Sequence, residues 1–190
     1  MEHLESTAER DGEDRPEYGE NARPAVPWAD LVADSGIVGR YWEKVHRRGP
    51  QGCWYWLASI SDSGHGKLRC GSRTDGSRRV VNAHQLGWAI HHGPDSLLDG
   101  RVVRHTCDEG SCQNPGHWRR GERLENVADF LARRELAGHP LGDARGPHGR
   151  AVAIRDAIKK ALAEGGDVEA AIAEAIAAGN ASKGHQETLW

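Results

Sequence analysis

The stretch from Thr106 to Gly121 constrains the fold of this 190-residue chain most. It is rich in Gly, Cys, Asn and Pro and nearly devoid of aliphatic side chains. Burial alone cannot hold such a loop, so another force must. The loop contains Cys107-x4-Cys112-x4-His117, and Cys53 lies upstream. Thiolates and imidazole at this spacing suit tetrahedral Zn²⁺, and a bound metal fixes a loop's shape without an apolar core. Spacing alone leaves a second reading open, in which three unrelated polar residues share a loop and Cys53 is simply buried. Cys70, the remaining cysteine, reads as a small buried strand residue.

Periodicity organises the rest. Ile37, Val38, Tyr41, Trp42 and Val45 are spaced for a short amphipathic helix, ended by Gly49-Pro50-Gln51-Gly52. Residues 53–59 read as a strand, 67–70 as a second and 79–82 as a third, with a turn at 64–66 and a polar hairpin loop between the last two. A helix is expected over 83–90, a strand over 102–105, a loop through Gly121 and a helix over 122–134. On that helix Leu124, Val127, Ala128 and Leu131 form a stripe expected to be buried. Residues 138–149 read as a Gly/Pro-rich linker. Helices over 150–164 and 168–178 then form a hairpin, with Asp167 as N-cap of the second. Helices so short are marginal alone, so they should pack on each other, on the core or on a second subunit.

The net charge of −3 argues weakly against a polyanion partner, but it conceals a division. Residues 1–35 hold ten acids and three bases, residues 36–150 twelve acids and eighteen bases, and residues 151–190 six acids and four bases. The middle block is therefore +6 and carries nine of the eleven His and all four Cys. Any polyanion contact belongs there. Four cysteines are too few for a disulfide scaffold. No apolar run reaches the ~18 residues of a membrane span, and the N-terminus lacks a signal pattern. The expected setting is the cytoplasm of a bacterial or phage-infected bacterial cell. The first ~25 residues bury too little apolar surface to order themselves, and read as a solvated acidic tail or as a DNA mimic over the basic face.

Arg104-His105-Thr106-Cys107-Asp108, Cys112-Gln113-Asn114-Pro115-Gly116-His117 and Glu125-Asn126 together resemble the HNH nucleases. The likeness is to their zinc-stapled, His-Cys-box-like branch with a ββα-metal (His-Me finger) core. Tyr41-Trp42-x-Lys44-Val45, Gly52-Cys53-Trp54-x-Trp56, Gly64-x-Gly66 and Ala83-His84 fit as well, so the resemblance covers residues 36–135. It implies an α+β fold, with a C-terminal helical hairpin over 150–180 added to the nuclease core. It also implies one structural zinc on Cys53, Cys107, Cys112 and His117. His105 would be the general base that deprotonates the attacking water, a task suited to imidazole. Asn126 would bind one Mg²⁺ or other divalent cation, which stabilises charge on the phosphate and on the leaving 3′ oxygen. Taken alone, His105 and Asn126 are ordinary polar residues; their placement around the loop gives them meaning.

Asn114 is assigned to loop backbone bonding. His84 is read either as a third catalytic residue, contacting phosphate or assisting proton transfer, or as a satisfied buried histidine. Lys67 and Arg69 alternate on one strand and face one side, toward the scissile strand or toward solvent. Arg119, Arg120 and Arg123 are placed at the start of the Asn126 helix as phosphate contacts. The sequence departs from the family at Gln85, where Arg often stands, at His65, where Tyr is common, at Trp118 and at Leu57-Ala58. None is a proposed base or ligand.

The expectation is a Mg²⁺-dependent DNA endonuclease leaving 5′-phosphate and 3′-hydroxyl ends, in a homing, nicking or phage DNA-processing role. Its rivals are a zinc-containing DNA-binding module without catalysis and a structural interaction protein. A homodimer through the hairpin is one route to a double-strand cut. Gln186-Glu187-Thr188-Leu189-Trp190 resembles a sliding-clamp-binding peptide, with Leu189 and Trp190 as anchors; the alternative is a tail whose Trp packs on its own protein.

Overall fold

The computed structural model describes residues 25–134, 136 and 139–181. Most of the acidic N-terminal segment and the Gln186–Trp190 pentapeptide lie outside them. Residues 25–35, read with the acidic tail, carry helix α1 (Trp28–Ala33), whose Trp28 and Leu31 enter the core. Asp34 ends α1 and caps α2 (Ser35–Trp42), its carboxylate accepting from the Gly36 and Ile37 amides at 2.8 and 3.0 Å. Residues 53–59, expected as one strand, pair only at β2 (Tyr55–Trp56), against β1 (Val45–His46).

β3 (Lys67–Cys70) and β4 (Arg79–Asn82) form an antiparallel hairpin with Leu68 opposite Val81. Alternation sends Leu68, Cys70 and Val81 inward and leaves Lys67 and Arg69 on the outer face. β4 runs directly into α3 (Ala83–His92), which buries Ala83, Leu86 and Ala89. Together with Tyr41 and Trp56 these residues make the largest core.

β5 (Val102–His105) pairs with β6 (Trp118–Gly121), His105 opposite Trp118, and α4 (Arg123–Arg133) follows. β6 corrects the expectation of loop through Gly121. Its Trp-Arg-Arg-Gly carries no alternating apolar signal; the strand exists because β5 supplies a partner and Trp118 packs on Trp88 and Val103. A Cβ on Gly87 would collide with the Tyr41 hydroxyl and stand 2.6 Å from the Trp118 ring. Gly87 thus lets α3 approach that indole.

The stripe on α4 is also corrected. Leu124 is 82 % exposed and Leu131 53 %, and no residue of α4 is buried. The opposite face turns inward, because Asp129 pairs with Arg104 at 2.9 Å and Arg133 with Asp108 at 2.7 Å. Periodicity establishes that a helix has an apolar face, not which way that face points.

α5 (Gly146–Glu164) and α6 (Val168–Ala181) form the expected hairpin, reversed at Gly165 in the left-handed conformation (φ 67°). α5 begins four residues before the expected Arg150. The described part of the stretch read as a linker carries a 3-10 turn, Pro140–Gly142, and a buried Asp143. Asp143 accepts from Arg145 and Arg150, and Arg145 donates to the Ala175 carbonyl. Ile154, Ile158 and Ile172 pack on Tyr55, with Cys53 and Leu57 alongside. The hairpin therefore packs both on itself and on the segment bearing β2. No helix among the described residues is long and apolar enough to cross a membrane.

Urea unfolding checks these burial assignments. Leu124→Ser should change stability by no more than about 0.5 kcal/mol, whereas Ile158→Ala should cost about 2–5 kcal/mol.

Candidate metal centre and candidate active site

The loop between β5 and β6 brings Cys107, Cys112 and His117 beside Cys53, which precedes β2. One ligand atom from each of the four lies within 4.8 Å of all the others. His117 Nδ1 is 3.6 Å from Cys53 Sγ and 3.5 Å from Cys112 Sγ. A tetrahedron with ordinary Zn–S and Zn–N bonds has S···N edges of about 3.6 Å. The separations are thus those of donors around one ion. Sulfurs this close share one easily held negative charge. Cys107 is driven down to about 2 by S–H donation from Cys112 and Cys53. That thiolate pushes Cys53 up to about 12 and Cys112 higher still, with burial adding to both. A divalent cation removes the conflict by taking all three as thiolates. The donor set fits zinc.

Asn114 ties the two ends of the centre together. Its side-chain amide donates to the Pro50 and Gly52 carbonyls at 2.9 and 2.7 Å, and its oxygen accepts from the Gly116 amide. The Gln113 amide donates to Trp54 O at 2.7 Å, and the Trp56 amide to Ser111 O at 3.2 Å. Tyr41 donates to the fully buried Gln113 side chain. Glu109, also buried, accepts from Arg150 on α5 at 2.8 Å and from Ser111. The loop is thereby held to α2, to β2 and to the C-terminal hairpin.

His105 ends β5 where the loop begins. Its Nε2 lies 2.9 Å from the Cys112 carbonyl oxygen. A carbonyl only accepts, so Nε2 carries the hydrogen and Nδ1 keeps the lone pair. His105 and Asn126, which belong to different elements, line one cavity of about 260 Å³. Ser63, His65, Asp108 and Phe130 line it too, as do Leu141 and Pro147 from the C-terminal part of the chain. Gly64 sits beneath Pro147 with φ +79°, where a Cβ would stand 2.8 Å from the Pro147 carbonyl oxygen. Only glycine suits that conformation and approach together.

His84 is buried behind His105, with ring centroids 4.9 Å apart, and is not among the lining residues. Burial, then His105 and His65, hold it well below the ordinary histidine pKa, so it is neutral. Its Nδ1 has no hydrogen-bond partner among the described residues. The basic candidates separate. Arg119 and Arg120 stand on β6, not on the helix, and alternate across it. Arg119 is exposed and lines a second cleft that also includes His105. Arg120 is engaged by Asp99. Arg123 opens α4 and is exposed. Arg69 is exposed, and Lys67 is half-buried, donating to Asn82 Oδ1 at 2.6 Å.

Two residues at the cavity had no role assigned from sequence. Asp108 takes a positive φ of 53° and forms an ion pair with Arg133 on α4, with His139 Nε2 3.1 Å from the same carboxylate oxygen. Its signal was its place directly after a ligand cysteine. His65 approaches His84 and His105 with centroids 4.9 and 5.8 Å away. Its signal was its place between two glycines.

Over 93 residues the chain is 30 % identical to Protein 2.8 of Escherichia phage T7. The match covers 48 % of this chain and 59 % of that protein, so the chain spans about three fifths of the relative's length. No family model matches the chain, and no solved structure does.

Elemental analysis of purified protein should find one zinc per chain. Stripping it should cost several kcal/mol of stability; at about 2–4 °C per kcal/mol for a chain of this size, the melting temperature should fall by roughly 10 °C or more. Arg150→Met strands the buried Glu109 charge and should cost about 3–5 kcal/mol, much of it recovered in the Arg150→Met/Glu109→Leu double variant. Chemical denaturation of these two variants and wild type checks this.

Proposed function

We infer that the chain is a zinc-stapled, Mg²⁺-dependent DNA endonuclease that hydrolyses phosphodiester bonds. One observation carries the reading: His105, with Nε2 on the Cys112 carbonyl and no hydrogen-bond partner on Nδ1 among the described residues, shares a cavity with Asn126. A binding module needs neither an imidazole with an open lone pair nor an amide lining the same cavity. The order β5, metal loop, β6, α4 matches the ββα-metal arrangement that the resemblance to HNH nucleases implies. The phage relative is compatible with action in an infected bacterial cell.

In this reading His105 Nδ1 takes a proton from water as that water attacks phosphorus in line. Cys112 O holds the tautomer and stabilises the imidazolium that results. Asn126 Oδ1 would contribute one ligand to Mg²⁺, leaving the rest of the shell to water and phosphate, as this cation tolerates; once bound, it neutralises charge on the phosphate and the leaving 3′ oxygen. A single neutral protein ligand implies that Mg²⁺ binds well only with DNA. Exposed Arg69, Arg119 and Arg123 are the side chains for phosphate contact.

Supercoiled plasmid with Mg²⁺ tests this. Wild type should nick it, EDTA should stop the reaction, and His105→Ala should lower the rate by about 10²-fold or more with zinc content unchanged. Binding should weaken as salt rises. Salt-dependent binding without nicking would favour the non-catalytic module.

A further inference from the structure

We propose that His65 is a further catalytic residue of this site: its Nε2 accepts a hydrogen bond from the attacking water, beside the His105 Nδ1 that takes the water's other proton. The proposal rests on the nuclease reading.

A count of protons on three residues assigns the tautomer. The Ser61 hydroxyl lies 3.1 Å from the His65 carbonyl oxygen, and a carbonyl only accepts, so Ser61's one proton is there. Ser61 and Ser63 Oγ are 3.0 Å apart, so Ser63 supplies the proton of that bond. Ser63 Oγ is then the acceptor toward His65 Nδ1, 2.9 Å away, and Nδ1 carries the ring hydrogen. Nε2 therefore holds the lone pair. Among the described residues it has no hydrogen-bond partner, and the ring lines the cavity shared with His105 and Asn126.

Burial, then the proximity of His105 and of Lys67, push His65 down to about 4, so the lone pair is available at neutral pH. The Lys67 ammonium is itself engaged by Asn82. The His65 and His105 rings are inclined at 46° with centroids 5.8 Å apart. Two acceptor nitrogens bracket one water when they stand about 4.5 Å apart, given hydrogen bonds near 2.8 Å; rings at this separation can present theirs so. A water with both hydrogens committed to imidazoles has its oxygen lone pairs turned the other way, toward a phosphate. Orientation of this kind lowers a barrier without adding charge. Only one proton moves, to His105; His65 changes no bond.

Single-turnover nicking of supercoiled plasmid by the full-length, zinc-loaded protein tests the assignment, with wild type, His65→Phe, His65→Gln and His105→Ala compared. His65→Phe removes the acceptor and should slow the saturated rate by about 10- to 100-fold. The half-saturating protein concentration, the melting temperature and the zinc content should stay in place. His65→Gln keeps an acceptor oxygen and should remain within about threefold of wild type. Unchanged nicking by His65→Phe overturns the proposal while leaving the nuclease reading intact. So does equal slowing of the Phe and Gln variants, since acceptance would then not be what the site uses. A wild type that never nicks overturns the nuclease reading, and this role with it.

Discussion

Cys112 is where the metal centre, the core and the candidate base meet. Its sulfur is one of the four donors that come within 4.8 Å of one another. Its carbonyl accepts from His105 Nε2 at 2.9 Å and from the Trp118 indole at 3.3 Å. Its backbone bridges to Tyr55 on β2. A loop so poor in apolar side chains has to fix that carbonyl between an imidazole and an indole by polar bonds and by its candidate metal donors. A metal on these four donors would supply what burial cannot, and would fix a tautomer as well as a shape.

The C-terminal hairpin belongs to the same machine. Arg150 reaches Glu109 inside the metal loop and also contacts Asp143, all three side chains being buried. Pro147 and Leu141 line the same cavity as His105 and Asn126. His148 approaches the Ser61 carbonyl, at the base of the serine pair that orients His65. α6, at 14 residues, is of a length that is marginal alone; buried polar groups and the Ile154–Ile158–Ile172 cluster dock the hairpin.

Much of this was legible in the sequence. β3, β4 and β5 carry β-branched or alternating residues and appear where expected. The four residues that the fold gathers as candidate metal donors stood out by residue type and by the thin apolar content of their loop. What could not be read depended on partners distant in sequence. Trp118–Gly121 is a strand only because β5 lies beside it. The apolar face of α4 points outward because Asp129 and Arg133 find Arg104 and Asp108. The 36–150 block is basic in the sequence, yet Arg104, Arg120 and Arg133 are occupied by carboxylates. Its outward positive charge is smaller than its count. His65 looked like a family departure at a turn until the fold set it against His105.

The central claim is that the metal loop holds His105 in one tautomer with Nδ1 open. Imidazole ¹⁵N shifts of the zinc-loaded protein above pH 7, assigned by difference from His105→Gln, read that tautomer directly. The account predicts a protonated, pyrrole-like Nε2 and a pyridine-like Nδ1. A protonated Nδ1, or two nitrogens averaged by exchange, would contradict it.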